Sequence, residues 1–294
     1  MSSETPMGLT RRGLLAGIGA VAWTGPARAG GGRRFASLDH GLAQTLIAID
    51  ADLSAIAQVP YWDIWTVEPP LPPDVANLGL AREPNMESLA RLAPDLILST
   101  PYLEGVRHQL ELVAPVESFP IHAVGASPWS NILAATRRLG VLSDRVEAAE
   151  RLIVETEAEL ARIRDALSRL RDLPVVPMHF VDSRHVRIYG QNGVIQDTLD
   201  RLGLRNGWPG PTNGWGFATA GIERLVEIGD GWVLVFDPVP PDVEASLAGS
   251  PLWQGLPFVR ADRVRRFPNV LAFGTLPAAA RLARLLAAFE RDHV

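Results

Sequence analysis

The chain has 294 residues, 28 basic against 33 acidic side chains, a formal net charge of −5 and no cysteine. Disulfides, thiolate metal sites and thiol catalysis are therefore excluded, and the acidic balance argues against a nucleic-acid partner. Every basic side chain outside histidine is arginine, which we read as a genomic compositional bias.

At the N-terminus, Arg11 and Arg12 precede an apolar run from Leu14 to Trp23, and Ala27-Arg28-Ala29 supplies a small-residue cleavage site. The run is about half the length a membrane span needs. Residues 1–29 are expected to be an export signal peptide. The paired arginines fit twin-arginine export, and Sec export shares the same layout. Removing the segment takes the net charge from −5 to −7. With no cysteine to carry a lipid, the mature protein is expected free in a periplasm.

Strand and helix patterns then alternate. Phe35 to Leu38 reads as a strand, Leu42 to Ile49 as a helix and Ala55 to Ala57 as the next strand. A long loop rich in aromatics and proline follows, from Pro60 past Trp65 to Pro73; loops of this length inside a compact domain tend to carry function. Met86–Leu92 reads as a helix, Asp95 to Ser99 as a buried strand, Val106–Leu112 as a helix, Val116 to Phe119 as a strand and Pro128–Leu139 as a helix. This alternation implies a mainly parallel sheet covered on both faces.

From Ser143 to Arg171, apolar or small residues recur at three-then-four spacing through Val146, Ala149, Ile153, Thr156, Leu160, Ile163, Leu167 and Leu170. The spacing predicts one helix of roughly 40 Å, with Asp144 and Glu147 as a capping box. A coiled-coil dimer fits the same stripe, but Ala149 and Thr156 are weak seam residues. Beyond it, Val175–Val181, Val186–Tyr189 and Trp232–Phe236 read as strands. Helices are expected from Asn192 to Leu202, from Ile222 and over Leu276–Arg291. The expected architecture is α/β, with an N-terminal lobe over 30–142, an interlobe helix over 143–171 and a C-terminal lobe over 172–294.

Five segments together resemble the ferrichrome-type periplasmic binding protein of the iron(III)–hydroxamate ABC importer. They are Trp65–Pro72, Gly79–Asn85, Asp182–His185, Asn206–Gly216 and Pro251–Arg260. The resemblance covers nearly the whole mature chain. It implies a rigid two-lobed monomer with a shallow cleft for one ferric siderophore, no resident cofactor or metal, and an inner-membrane ABC permease as partner. Its wall tryptophans match Trp65, Trp208 and Trp215, with Asn213 between the last two. The family's oxygen-binding arginine falls on Ala81, with Arg82 one place later, and its binding tyrosine falls near Tyr102. His40, Leu271 and Phe273 replace aromatic residues of the family, and Phe217 replaces a serine, so a reshaped pocket is expected. The resemblance also assigns Glu87 and Glu223, early in helices of the two lobes, to permease docking.

The residues alone support the same chemistry. Aromatic side chains suit the carbon walls of a ferric trihydroxamate, and a guanidinium or phenol suits its partly negative oxygens. Haem or cobalamin would suit the same fold. The six histidines show no ligand spacing for a metal. An enzyme is the remaining alternative: no G-x-S-x-G, phosphate loop or H-E-x-x-H occurs, and Asp182-Ser183-Arg184-His185 reads as a turn.

Overall fold

The structure is a computed structural model that describes residues 32–122 and 127–293; the export segment expected over 1–29 lies outside the described residues. The first half lays down β1 (Phe35–Ser37), α1 (His40–Ala48), β2 (Leu53–Ile56), β3 (Ala76–Asn77), a small hairpin of β4 (Gly79–Leu80) and β5 (Glu83–Pro84), α2 (Met86–Leu92), β6 (Leu96–Ser99), α3 (Arg107–Glu111), β7 (Val116–Ser118) and α4 (Trp129–Leu142). Its five-stranded sheet has the order β3-β2-β1-β6-β7 and is parallel throughout. Ile97 and Leu98 are fully buried on opposite faces of β6, as a parallel sheet covered on both sides requires.

The second half contains α5 (Val146–Ala166), β8 (Val175–Phe180), β9 (His185–Tyr189), α6 (Val194–Arg201), β10 (Phe217–Gly221), β11 (Trp232–Phe236), α7 (Pro241–Ala248), α8 (Pro251–Gln254), α9 (Pro257–Arg260), β12 (Val264–Phe267) and α10 (Leu276–His293). The sheet order is β10-β9-β8-β11-β12. β8, β11 and β12 pair in parallel; β9 is antiparallel to both neighbours, so β10 runs in the same direction as β8. The sheet is mainly parallel, as the sequence suggested, with β9 as the one reversed strand, and the link after β8 explains that reversal. Four residues are too few for a parallel crossover. Asp182 closes the turn instead, its Oδ1 accepting from the backbone N–H of Arg184 (2.7 Å) and of His185 (2.8 Å). The exposed His185 ring lies 3.0 Å from the same carboxylate, so the Asp-Ser-Arg-His stretch is turn chemistry.

The interlobe helix is shorter than the stripe suggested, 21 residues or about 30 Å. Asp144 adopts φ 57°, which ends α4 in a left-handed residue, and α5 starts after Arg145 without a side-chain cap, so the expected capping box does not form. At the far end Leu167 is extended, and the Glu290 carboxylate of α10 accepts from the N–H groups of Ser168 (2.8 Å) and Leu170 (2.9 Å). Ala149, Ile153, Thr156, Leu160 and Ile163 are buried, and α5 packs against α4 and α10 of its own chain. The close approach to α4 needs Gly140, where a Cβ would lie 2.6 Å from that of Ala149. One continuous core runs from Phe35 through Leu160 to Phe289, so the two sheets share an interior.

Candidate functional site

In an open parallel sheet the loops leaving the carboxyl ends of the strands form the natural ligand crevice. Here β1 delivers Asp39 and His40, the loop after β2 delivers Tyr61 and Trp65, β6 leads to Tyr102 and β7 to His122. The second lobe contributes Arg187 from β9, Trp215 and Phe217 around the start of β10, and Leu271 and Phe273 after β12. Together they line a cleft of about 800 Å³, in the range of small-molecule sites.

The walls are aromatic and touch across the cleft. Tyr102 meets Trp215 edge to face at 5.2 Å between ring centroids, and Trp215 lies 6.0 Å from Phe273. Phe273 in turn packs 6.0 Å from Phe217 and 5.7 Å from His122. Trp215 is presented by a tight turn in which Asn213 Oδ1 accepts from the N–H of Trp215 (2.9 Å) and of Phe217 (3.3 Å). Gly216 completes the turn at φ 78°, and a Cβ there would lie 2.5 Å from Gly193 Cα. Only glycine fits that approach.

Trp65 sits on a π-type turn, Trp62–Thr66, and is 40% exposed. The next residue but one, Val67, has φ 64°, a strained conformation for a β-branched side chain. Surrounding bonds over-determine this segment. Asn269 Nδ2 donates to the carbonyls of Ile64 (3.1 Å) and Trp65 (2.6 Å), and Gln44 donates to that of Glu68 (2.6 Å). Asn269 is itself set by a buried chain: the Tyr189 hydroxyl donates to His179 Nδ1 (3.0 Å), and His179 Nε2 donates to Asn269 Oδ1 (2.7 Å). This network ties the second sheet to the Trp65 turn. The Glu68 carboxylate adds ion pairs to Arg281 and Arg284 of α10.

Burial disfavours the charged forms of Asp39, His40 and His122 on the cleft floor. Burial raises the pKa of Asp39, whose Oδ1 caps α1 by accepting from Leu42 N–H at 2.9 Å; that bond and the nearby His122 act in the opposite direction. Burial lowers the pKa of His122, against the pull of Asp39. Among the described residues, neither ring nitrogen of His122 has a hydrogen bond of good geometry. His40, also lowered by burial, spends both nitrogens on Thr66 Oγ1 (2.7 Å) and the Ala57 carbonyl (2.9 Å). It can therefore offer a ligand only its ring. Tyr189, below the floor, is pushed up to about 12 by burial, with the neighbouring Arg187 opposing.

Of the residues expected at the site, His40, Trp65, Tyr102, Trp215, Phe217 and Phe273 line the cleft. Trp208 does not. It is 8% exposed and belongs to the core of the second lobe with Val176, Met178 and Trp253. Asn206 Oδ1 accepts from its N–H (2.9 Å), and a Cβ on Gly210 would lie 2.7 Å from its ring. The surrounding glycines and prolines thus mark tight packing of the ring rather than an exposed wall. Asn213 acts through the turn described above. Arg82 is exposed and off the lining, its guanidinium 4.1 Å above the Tyr102 ring, while Ala81 faces the cleft. Asp39, His122 and Arg187 are the titratable lining residues with charged or imidazole groups that sequence reasoning missed, and Gln58 and Thr100 line the cleft as well. For Arg187 a signal existed: it is the one charge in the middle of the apolar strand Val186–Tyr189. Glu87 and Glu223 are exposed in the first turns of α2 and of the 3₁₀ segment Ile222–Ile228. Among the described residues no group of three or more histidine or acidic side chains is placed to hold a metal ion.

Two α/β lobes on a common core, with an aromatic cleft at the strand ends, define a bilobal solute-binding protein. Residues 36–271 match the periplasmic binding protein family, and the chain belongs to it. It is similar to the iron(3+)-hydroxamate-binding protein FhuD of Escherichia coli (strain K12), with 29% identity over 283 residues that cover 95% of each chain. A shorter likeness, 27% over 114 residues, links 36% of this chain to 34% of the ferric-anguibactin-binding protein FatB of Vibrio anguillarum. Among solved structures, FhuD from Vibrio cholerae bound to Fe3+-Desferal superimposes with a TM-score of 0.80 at 25% identity, covering 87% of this chain and 98% of that one. FeuA from Bacillus subtilis complexed with ferri-bacillibactin shares the fold, with a TM-score of 0.70 at 17% identity over 87% of this chain and 93% of that one.

Proposed function

We propose that the protein captures a ferric hydroxamate siderophore in the periplasm and delivers it to an inner-membrane ABC permease. The observation that carries this reading is the cleft: four aromatic walls from both lobes around a space of about 800 Å³, with few polar donors. A ferric trihydroxamate fills its own six coordination positions, so it asks the protein for apolar walls and a few hydrogen-bond donors rather than metal ligands. Large rings supply such walls at low entropic cost. Similarity over nearly the full length to an E. coli hydroxamate-binding protein supports the same ligand class.

The protein's role is binding, as a monomer, and not turnover. Glu87 and Glu223 project from the two lobes as docking charges for arginines on the permease, where they act on encounter and register. Native mass spectrometry after incubation with ferric and iron-free siderophores and with haem tests the ligand assignment. Retention of a ferric trihydroxamate but not its iron-free form is expected; selective retention of haem refutes the reading.

A further inference from the structure

We propose that Arg187 of the second lobe, not an arginine of the first, donates hydrogen bonds to the iron-bound oxygens of the ligand. The assignment rests on reading the cleft as a hydroxamate site. Among the described residues that line the cleft, Arg187 is the single arginine, and Asp39 is the single carboxylate. Arg187 enters no ion pair among the described residues, and its Nε is buried without a hydrogen-bond partner. An unsatisfied buried donor is rare in native proteins and calls for a reason. A guanidinium carries its donors in a fixed planar fork suited to paired oxygens.

The strand register explains how the group is held. On the antiparallel pair β9–β10, Arg187 stands opposite Thr219 and Tyr189 stands opposite Phe217. Arg187 and Phe217 are thus diagonal neighbours on one face, within reach of long side chains. The guanidinium carbon lies 4.5 Å from the centroid of the Phe217 ring. Stacking occupies one face of the planar group and leaves its N–H edge for a ligand. Phe217 is therefore a platform as well as a wall. In the first lobe, the corresponding place is empty of charge: Ala81 lines the cleft, and Arg82 stacks on Tyr102 from outside the lining. His40 spends both ring nitrogens on the protein, and burial disfavours the charged form of His122, whose neutral ring offers one N–H against the several of a guanidinium.

The test is fluorescence-quenching titration with ferric desferrioxamine B and ferrichrome, paired with melting curves of the ligand-free protein. Arg187→Met should weaken binding by about tenfold or more, the scale of losing hydrogen bonds from a charged donor. Arg187→Lys should recover part of that loss, and Arg82→Met should cost markedly less. The ligand-free Arg187→Met protein should melt within about 5 °C of the parent, because the half-buried guanidinium enters no ion pair among the described residues and methionine can still cover the Phe217 ring. Near-parental affinity of Arg187→Met, or an equal loss in Arg82→Met, overturns the assignment while leaving the ligand class intact. A fall in melting temperature of more than about 5 °C makes Arg187 a structural residue and also overturns it. Failure of the parent to bind either chelate refutes the hydroxamate reading and this role together.

Discussion

Replacing Trp215 and Trp208 separately should split affinity from stability. Trp215 is 38% exposed and lies within 5.2–6.0 Å of Tyr102, His122 and Phe273, so it is a wall with little buried structure to lose. Trp215→Ala should cost about 1–3 kcal/mol of binding, or roughly 5- to 150-fold in Kd, with a small effect on melting. Trp208 is 8% exposed within the second-lobe core. Its truncation to alanine should cost about 3–5 kcal/mol of folding stability through cavity formation, while Trp208→Leu, leaving a smaller void, keeps enough fold to titrate. Quenching by ferric desferrioxamine B reports affinity, and thermal melts report stability. A folded Trp208→Leu protein that loses as much affinity as Trp215→Ala would show that ligand is held on the far side of the second lobe, and would refute the cleft assignment.

Acid should weaken the fold. His40, His122 and His179 all have pKa values held below 6.5 chiefly by burial. Between that value and their lower native ones, the unfolded chain binds protons that the native state does not, so stability falls as pH drops through 6.5. Asp39 and Asp197, raised by burial, act in the opposite sense above 3.8. Melting temperatures from pH 7 to 5 should decline, and less steeply in His122→Phe; an unchanged slope in that variant would refute the histidine account. Reversing Glu87 and Glu223 to arginine should abolish siderophore-supported import while leaving ligand affinity unaltered, as measured by uptake and titration side by side. Small-angle scattering should show only slight compaction with ligand, because α5 and α10 would have to bend together for the lobes to swing.

The sequence was legible where a segment's own periodicity decides its burial. β6 and β11 are continuous apolar runs, and the α5 stripe is buried from Ala149 to Ile163, although its first member, Val146, is exposed at the helix start. It was illegible where a distant partner decides. β10 reads as the tail of a glycine loop, and only its ladder with β9 makes it a strand. β12 carries two arginines and escapes notice, yet it pairs in parallel with β11. Trp208 shows the same limit at the site. Glycine and proline around a tryptophan are equally the context of an exposed loop and of a ring packed against backbone, and the contact with Gly210 selects the second. An isolated arginine on a strand is ordinarily solvated; Arg187 is half-buried on the cleft wall, with its guanidinium over the Phe217 ring supplied by β10.

The edge-to-face pair of Tyr102 and Trp215 joins a turn of one lobe to a turn of the other at 5.2 Å. Each of these two wall rings thus covers part of the other's face on the cleft surface. A ligand that separates the two rings gives up a contact worth about 0.5–1.5 kcal/mol, or roughly 2- to 10-fold in affinity, whereas one that uses their free faces keeps it. Where the rings are parted on capture, their re-pairing reduces the cost of release by the same amount. For a carrier that must surrender what it holds, a self-contact parted in this way moves a share of the binding free energy from holding to letting go.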